Sequence, residues 1–277
     1  MKYLNFILFL ILILNSNALT AQQKYMSFNI RFDNPSDAED RWELRKKELC
    51  ELIKKYDPDF LGIQEALPRQ VEYLDAKLPD YKYVGFGRDG KGSISESVPI
   101  FYKSNAYELI KTEVFWLSET PEMPSKGWDA ALNRITTYGA FLSKQTGDTI
   151  HVFNTHYDHR GEKARVNSSH LLISKLKEWN LLNAKVILTG DFNSSPGEEP
   201  IKILKRVLTD ARMSSKSEAQ GPSGTFNGFD PNALPDPRID YIFTLNVEVL
   251  NFITIDDKRK NGRWISDHLP VLVEVAP

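Results

Sequence analysis

Cysteine is almost missing from this chain. Cys50 is the only one in 277 residues, so no intrachain disulfide can form and the fold must rest on its core and any bound ion. Basic residues are not in excess either: 35 Lys and Arg stand against 37 Asp and Glu, a formal charge of −2. A protein that grips long nucleic acid through many phosphates needs more positive charge than this, whereas a small phosphorylated ligand is not excluded. Apolar runs of the roughly 20 residues needed to cross a bilayer are also lacking. The longest, Phe6 to Leu14, follows Lys2 and precedes small and polar residues around Ala18 and Ala21, which is the layout of a secretory signal peptide over residues 1–21. Export to the periplasm or beyond is therefore expected. The remaining 22–277 is expected to form one monomeric domain with no stable membrane anchor, and Cys50 lies too far from the cleavage region to carry a lipid there.

What is present is a chain of ordinary globular composition, 41% hydrophobic and 26% charged, which supports a sizeable core and excludes a disordered or collagen-like polymer. Lys24 to Ile30 reads as a strand. Arg41 to Tyr56 reads as a helix whose stripe of Trp42, Leu49, Leu52, Ile53 and Tyr56 takes in Cys50, and Asp59 to Gln64 as a short apolar strand. A helix over Val71 to Leu78 precedes strands at Tyr81 to Phe86, Val98 to Tyr102 and Tyr107 to Leu117. Ser118 to Asn133 has the prolines and glycine of a surface loop. Ile135 to Ser143 and Thr149 to Asn154 flank a hairpin turn at Gln145 to Asp148. Beyond the helix Glu162 to Trp179 come the strand Lys185 to Thr189, the helix Glu199 to Arg206 and a long loop, Gly221 to Pro237, of the kind that is functional or mobile. Strands over Arg238 to Thr244, Val247 to Ile253 and Val271 to Val275 end the chain. Interleaved strands and helices with strands in the majority predict packed sheets covered by helices.

Polar residues recur at the ends of these apolar strands, where side chains leave the core and enter a cleft. Asn29 closes the first strand, and alone it fits a turn. Glu65 follows Phe60-Leu61-Gly62-Ile63-Gln64, a carboxylate at the mouth of a buried strand and an oxygen ligand of the type hard divalent cations take. Asn154-Thr155-His156 ends another strand, and His156 and His159 flank Asp158. That trio is open to zinc ligation as well as to substrate contact. In Gly190-Asp191-Phe192-Asn193 an acid and an amide two residues apart share one side of an extended backbone and can orient a water and hold a phosphoryl oxygen; the bland alternative is an Asx turn. Asp240 inside a strand is costly unless paired. His268 is the best partner, and a bond between them fixes the imidazole tautomer, raises its pKa and leaves Asp267 free for a metal.

Ser27-Phe28-Asn29-Ile30-Arg31, Gln64-Glu65, Asn154-Thr155-His156, Gly190-Asp191-Phe192-Asn193, Asp240-Tyr241-Ile242 and Ser266-Asp267-His268, in that order, resemble the motif set of the endonuclease/exonuclease/phosphatase superfamily. The set covers nearly all of the chain after the leader. The resemblance implies an α/β fold, a DNase I-like four-layer sandwich of two mostly antiparallel β-sheets packed face to face with helices outside. It implies a phosphoesterase acting on a phosphodiester or phosphomonoester of a nucleic acid, nucleotide or other small phosphorylated compound. Glu65 would ligate Mg²⁺, or Mn²⁺ in its place, with Asn29 and Asp267 as direct or water-bridged contacts. Asp191 would orient or deprotonate the attacking water, Asn193 and His156 would hydrogen-bond the phosphoryl oxygens, and His268 backed by Asp240 would neutralise the phosphate.

Within the superfamily, Arg238-Ile239-Asp240-Tyr241-Ile242-Phe243, Gly190 to Pro196 and the Arg41-Trp42 to Lys46-Lys47 helix start look like the deadenylase and nocturnin-like side. Inositol polyphosphate phosphatases carry a different pattern at Asp240. An exported sphingomyelinase-type phospholipid phosphodiesterase is the alternative; it would be expected to expose an aromatic hairpin, for which Phe115-Trp116 and Trp128 are the nearest candidates. A catalytically inactive binding protein on the same fold is the alternative of another class, and it should have lost some of the eight polar positions, all of which are present. Arg31, Arg41, Arg88 and Lys91 are candidates to rim the cleft, Phe226, Phe229 and Trp264 to stack on a base or sugar or to pack under the long loop. Secreted from a bacterial host, the chain is expected to lose its leader after Ala18 or Ala21; an intact mass that retains residues 1–21 would refute the export reading.

Overall fold

The computed structural model describes residues 22–277, so the leader expected at 1–21 lies outside the described residues. The chain begins with β1 (Gln23–Asn29), passes through a 3₁₀ turn at Pro35–Asp40 into α1 (Trp42–Tyr56), and returns in β2 (Phe60–Gln64). Next come α2 (Pro68–Lys77), β3 (Tyr81–Val84) and β4 (Ile100–Lys103), then β5 (Tyr107–Trp116), β6 (Ile135–Ser143) and β7 (Thr149–His156). The rest is α3 (Glu162–Glu178), β8 (Lys185–Asp191), α4 (Glu199–Leu204), β9 (Thr209–Asp210), α5 (Ala211–Ser214), β10 (Asp240–Leu245), β11 (Val249–Thr254) and β12 (Val271–Val275). The expected elements are present with ends moved by a few residues. β7 and β8 run two residues farther than their apolar runs, to His156 and Asp191, because ladder pairing continues after the hydrophobic pattern stops. Asp240 opens β10 rather than lying inside it. The short β9 and α5 had no periodic signal to read.

The strands form two six-stranded sheets, ordered β11-β12-β1-β2-β4-β3 and β5-β6-β7-β8-β10-β9. Each is antiparallel except for one central parallel pair, β1 with β2 and β7 with β8. Each parallel pair is joined by a helix, α1 or α3, as parallel neighbours require a crossover. Both pairs therefore run their carboxyl ends out of the core, where the polar strand-end residues stand.

Side-chain alternation assigns the layers. Met26, Phe28, Leu61 and Ile63 face α1 and α2, packing on Trp42, Leu49, Ile53 and Leu74. Phe153, Leu188, Tyr241 and Phe243 face α3 and α4, packing on Leu172, Leu176, Ile201 and Leu204. Between the sheets lie Tyr25, Phe60, Phe141, Ile150, Val152, Ile187 and Ile242. This is the expected four-layer sandwich. Phe115 and Trp116 are buried, so they do not form an exposed aromatic hairpin. Among the described residues no helix is long and apolar enough to cross a membrane.

Along the inner face of each central strand the composition changes from apolar to polar toward the carboxyl ends. Gly62, Gln64, Asn154 and Thr189 meet there with no exposure beyond 1% for the three polar members. Asn154 Nδ2 donates to the carbonyls of Ile63 (2.7 Å) and Pro99 (2.9 Å), and its Oδ1 accepts from Gln64 Nε2 (2.6 Å) and Thr189 Oγ1 (3.0 Å). Gly62 makes room for this clasp: a Cβ there would lie 2.2 Å from Thr189 Oγ1 and 2.7 Å from Asn154 Oδ1. Gly62→Ala is expected to lower unfolding stability by about 2–3 kcal/mol in denaturant titrations. Gly197→Ala, which meets nothing within 4 Å, should stay within about 0.5 kcal/mol of the parent. Equal stability of the two variants would remove the clasp from the account.

Candidate active site

The strand ends open into a pocket of about 640 Å³ lined by Glu65, His156, Asp191, Asn193, Asp267 and His268 among others. Asn29 and Asp240 lie directly behind that lining, 0% and 1% exposed. The eight residues singled out in the sequence thus converge from four strands, the turns after β2 and β8, and the loop before β12.

Register explains the convergence on one rim. Asn29 pairs with Gln64 at the end of one parallel ladder and His156 with Asp191 at the end of the other, while Asp240 stands opposite Asp191 across the antiparallel β8–β10 pair. Glu65 departs from this logic. Strand alternation would turn it toward the helices with Leu61 and Ile63, but its backbone adopts φ 63° and swings the carboxylate into the pocket. Its Oε1 accepts from Asn29 Nδ2 (3.1 Å) and its Oε2 from the Phe32 amide (3.1 Å). Asn193, also left-handed at φ 46°, is not on an extended backbone beside Asp191 as expected. Its amide donates to Asp191 Oδ1 (2.9 Å) in an Asx turn, and the same turn brings its side chain to the pocket, where Nδ2 donates to the Tyr157 carbonyl (3.0 Å).

Asn29 Nδ2 also donates to Asp191 Oδ2 (3.0 Å), and its Oδ1 accepts the Arg31 amide (3.0 Å). The amide orientation follows from its neighbours, since an oxygen facing two carboxylates would be repelled. Asn29 therefore bridges Glu65 and Asp191 as a donor. Asp267 is fixed from behind: Ser266 Oγ donates to the Asn29 carbonyl (2.7 Å), and the amides of Asn227 and Gly228 donate to the Asp267 carbonyl. The long loop 221–237 is thus strapped to the Ser266-Asp267-His268 segment, with Phe226 edge-on to the His268 ring at 5.1 Å.

His268 Nδ1 lies 2.9 Å from Asp240 Oδ2, the pairing expected from sequence, and its Nε2 lies 3.8 Å from Asp191 Oδ2. Burial disfavours the charged ring, but Asp240 and Asp191 overcome it and hold the His268 pKa well above the usual imidazole value. Burial and the Asp240 charge raise the Asp191 carboxyl to about 7. His156 is set the opposite way. Burial and then the Arg134 guanidinium hold its pKa well below the ordinary value. Arg134 Nη1 sits 3.1 Å from His156 Nδ1 and Nη2 3.0 Å from His159 Nδ1. Arg134 takes up both Nδ1 atoms and Asp158 Oδ2, and among the described residues the trio does not bring its ligand atoms together as a metal-binding group.

Asp191, Asp240 and His268 form a group of three potential metal ligands, but His268 Nδ1 is taken up by Asp240, and the charged ring itself supplies the positive partner. Glu65 and Asp267 fit a hard divalent cation better. Both are pocket-lining carboxylates; burial raises the Asp267 pKa and the nearby Glu65 charge adds to this, while His268 and Arg31, whose Nε lies 3.7 Å from Asp267 Oδ2, offset only part of it.

Of the basic candidates, Arg31 lines the pocket with its guanidinium bonded to Asp37 (3.0 Å). Arg88 is paired with Glu96 (2.8 Å) and Arg41 lies 3.5 Å from Asp33, while Lys91 does not reach the lining. Trp264 is buried with Nε1 on the Asp230 carbonyl, and Phe229 packs under Arg45; only Phe226 of the three aromatics faces the pocket. Arg134 and Glu96, both in the lining, had no sequence signal beyond a charge beside an apolar strand.

The family model described as "Endonuclease/Exonuclease/phosphatase family" matches residues 26–268. A mannosyl-6-phosphatase of Bacteroides thetaiotaomicron is 38% identical, with a TM-score of 0.87 over 92% of this chain and 100% of that one. An uncharacterized protein, L388, of Acanthamoeba polyphaga mimivirus is 30% identical over 267 residues, 84% of this chain and 91% of its own. The human nocturnin catalytic domain, 22% identical, shares the fold at a TM-score of 0.71 over 92% of this chain and 93% of that one. With its four-layer fold and a family match from the first strand to His268, the chain belongs to the endonuclease/exonuclease/phosphatase family.

Proposed function

We propose that this protein is an exported, Mg²⁺-dependent phosphoesterase, Mn²⁺ substituting, whose substrate is a phosphomonoester of a small polyol such as a sugar phosphate. The observation that carries the reading is the placement of the Asp240–His268–Asp191 chain in the same pocket as the Glu65 and Asp267 carboxylates. The pocket volume of about 640 Å³ suits a small molecule. The balanced charge of −2 and the 38% identity to a mannosyl-6-phosphatase point the same way.

Asp191 is the base for water. Its carboxyl, raised by burial and the Asp240 charge and held by Asn29 and the Asn193 amide, takes a proton as the water oxygen attacks phosphorus; the P–O ester bond opposite breaks, and the leaving oxygen departs with the bonding pair and takes a proton from solvent. The imidazolium of His268 faces the phosphoryl oxygens and offsets their growing charge, while Asp240 keeps its proton on the ring. His156, with Nδ1 accepting from Arg134, presents Nε2–H to the same oxygens, and the second N–H of the Asn193 amide does likewise. Glu65 and Asp267 would hold a divalent cation, which would supply Lewis acidity toward the phosphoryl group.

Asp191→Asn and His268→Ala are each expected to lower kcat by about 10²–10³ or more while keeping a cooperative melting transition. Hydrolysis of phenyl phosphate and a hexose 6-phosphate by purified variants measures this, and near-parental turnover by both would sink the mechanism. EDTA is expected to abolish turnover and Mg²⁺ to restore it and raise the melting temperature. Activity that survives exhaustive chelation would refute the metal requirement.

A further inference from the structure

His159 has no part in water activation, yet it lines the same pocket with its side chain 42% exposed. Its Nδ1 lies 3.0 Å from Arg134 Nη2. A guanidinium has only hydrogens to offer, so Nδ1 must accept, and the neutral ring carries its proton on Nε2. Burial and the Arg134 charge keep the pKa below the usual imidazole value and so maintain that form. The inner edge of the ring is occupied, and the Nε2–H edge is left for whatever enters the pocket.

Arg134 is a rigid support for this donor. Its side chain is 6% exposed, its Nε lies 3.4 Å from Asp158 Oδ2, and Nη1 is engaged by His156. Asp158 is itself pinned by the amides of Leu132, Arg160 and Gly161. One guanidinium thus presents two neutral N–H donors at different depths. His156, buried and with Nε2 3.5 Å from Asp191, reaches the phosphoryl end, and the more exposed His159 stands farther out.

We propose that His159 is a specificity-determining residue whose Nε2–H donates to a hydroxyl or ring oxygen of the leaving group next to the scissile phosphate. The proposal rests on the sugar-phosphate reading above. A neutral donor matches an uncharged oxygen better than a second phosphate, and the Arg134 charge behind it is already turned toward two imidazoles and Asp158.

Steady-state kinetics of the wild type, His159→Leu, His159→Asn and His159→Gln on a hexose 6-phosphate and on phenyl phosphate, in saturating Mg²⁺, tests it. The glutamine amide carries an N–H near the Nε2 position, whereas asparagine reaches only as far as Nδ1. His159→Leu and His159→Asn are expected to raise KM for the hexose 6-phosphate about three- to tenfold, with a smaller change in kcat and an equal loss of preference over phenyl phosphate. His159→Gln should stay within about twofold of the parent preference, since it retains the donor. An unchanged preference in the folded leucine or asparagine variant overturns the assignment of His159 and leaves the sugar-phosphate reading intact. A wild type that hydrolyses phenyl phosphate but no hexose 6-phosphate overturns that reading and the proposal with it.

Discussion

The Asn154 side chain, buried where the two sheets face each other, is the interaction on which the rest of the site depends. Its amide donates to two carbonyls at the end of β2 and before β4, and its oxygen accepts from Gln64 and Thr189. Both amide hydrogens and both acceptor directions are used inside the protein. Loss of this amide would leave several buried polar groups unpaired, at about 1–3 kcal/mol each. Because the partners belong to both central parallel pairs, the clasp sets how far apart the sheets stand just below the pocket. Asn29 of one sheet can then reach Asp191 of the other at 3.0 Å.

Above that clasp the problem is electrostatic. Glu65, Asp191, Asp240 and Asp267 crowd one pocket in which three of the four are almost fully buried. Such a set is tolerable only with compensating positive charge. The protein answers with the His268 imidazolium between Asp240 and Asp191 and with Arg31 beside Asp267, and Glu65 and Asp267 are the carboxylates suited to a cation. Histidines in the same pocket take opposite protonation states because of what stands behind each ring, a carboxylate for His268 and a guanidinium for His156 and His159. The residue type alone does not carry that distinction.

Much of the layered fold was legible because it follows from periodicity. Strands with alternating or continuous apolar runs, and the stripe from Trp42 to Ile53, had only one economical way to be buried. The polar residues ending those strands were legible for the same reason, since a carboxylate or histidine directly after a buried run must leave the core at its rim. Boundaries were less clear where hydrogen bonding outlasts hydrophobicity, as from Asn154 to His156 and from Thr189 to Asp191. The two-residue β9 and four-residue α5 are too short to show any period.

Local pattern and the cost of burying an unpaired charge fix the packed sheets covered by helices, the order of the polar motifs and the Asp240–His268 pairing, and the motif resemblance adds the four-layer arrangement. The direction in which those groups point is set by contacts formed on folding. The left-handed turn at Glu65 overrides strand alternation, the Asx turn at Asn193 replaces an extended backbone, and Asn29 donates between two carboxylates. Arg134, distant in sequence from His156 and His159, decides where their protons sit. The Asx turn is local, but the Asn29, Glu65 and Arg134 contacts join residues tens of positions apart, and long-range geometry of that kind leaves no period or spacing in the chain.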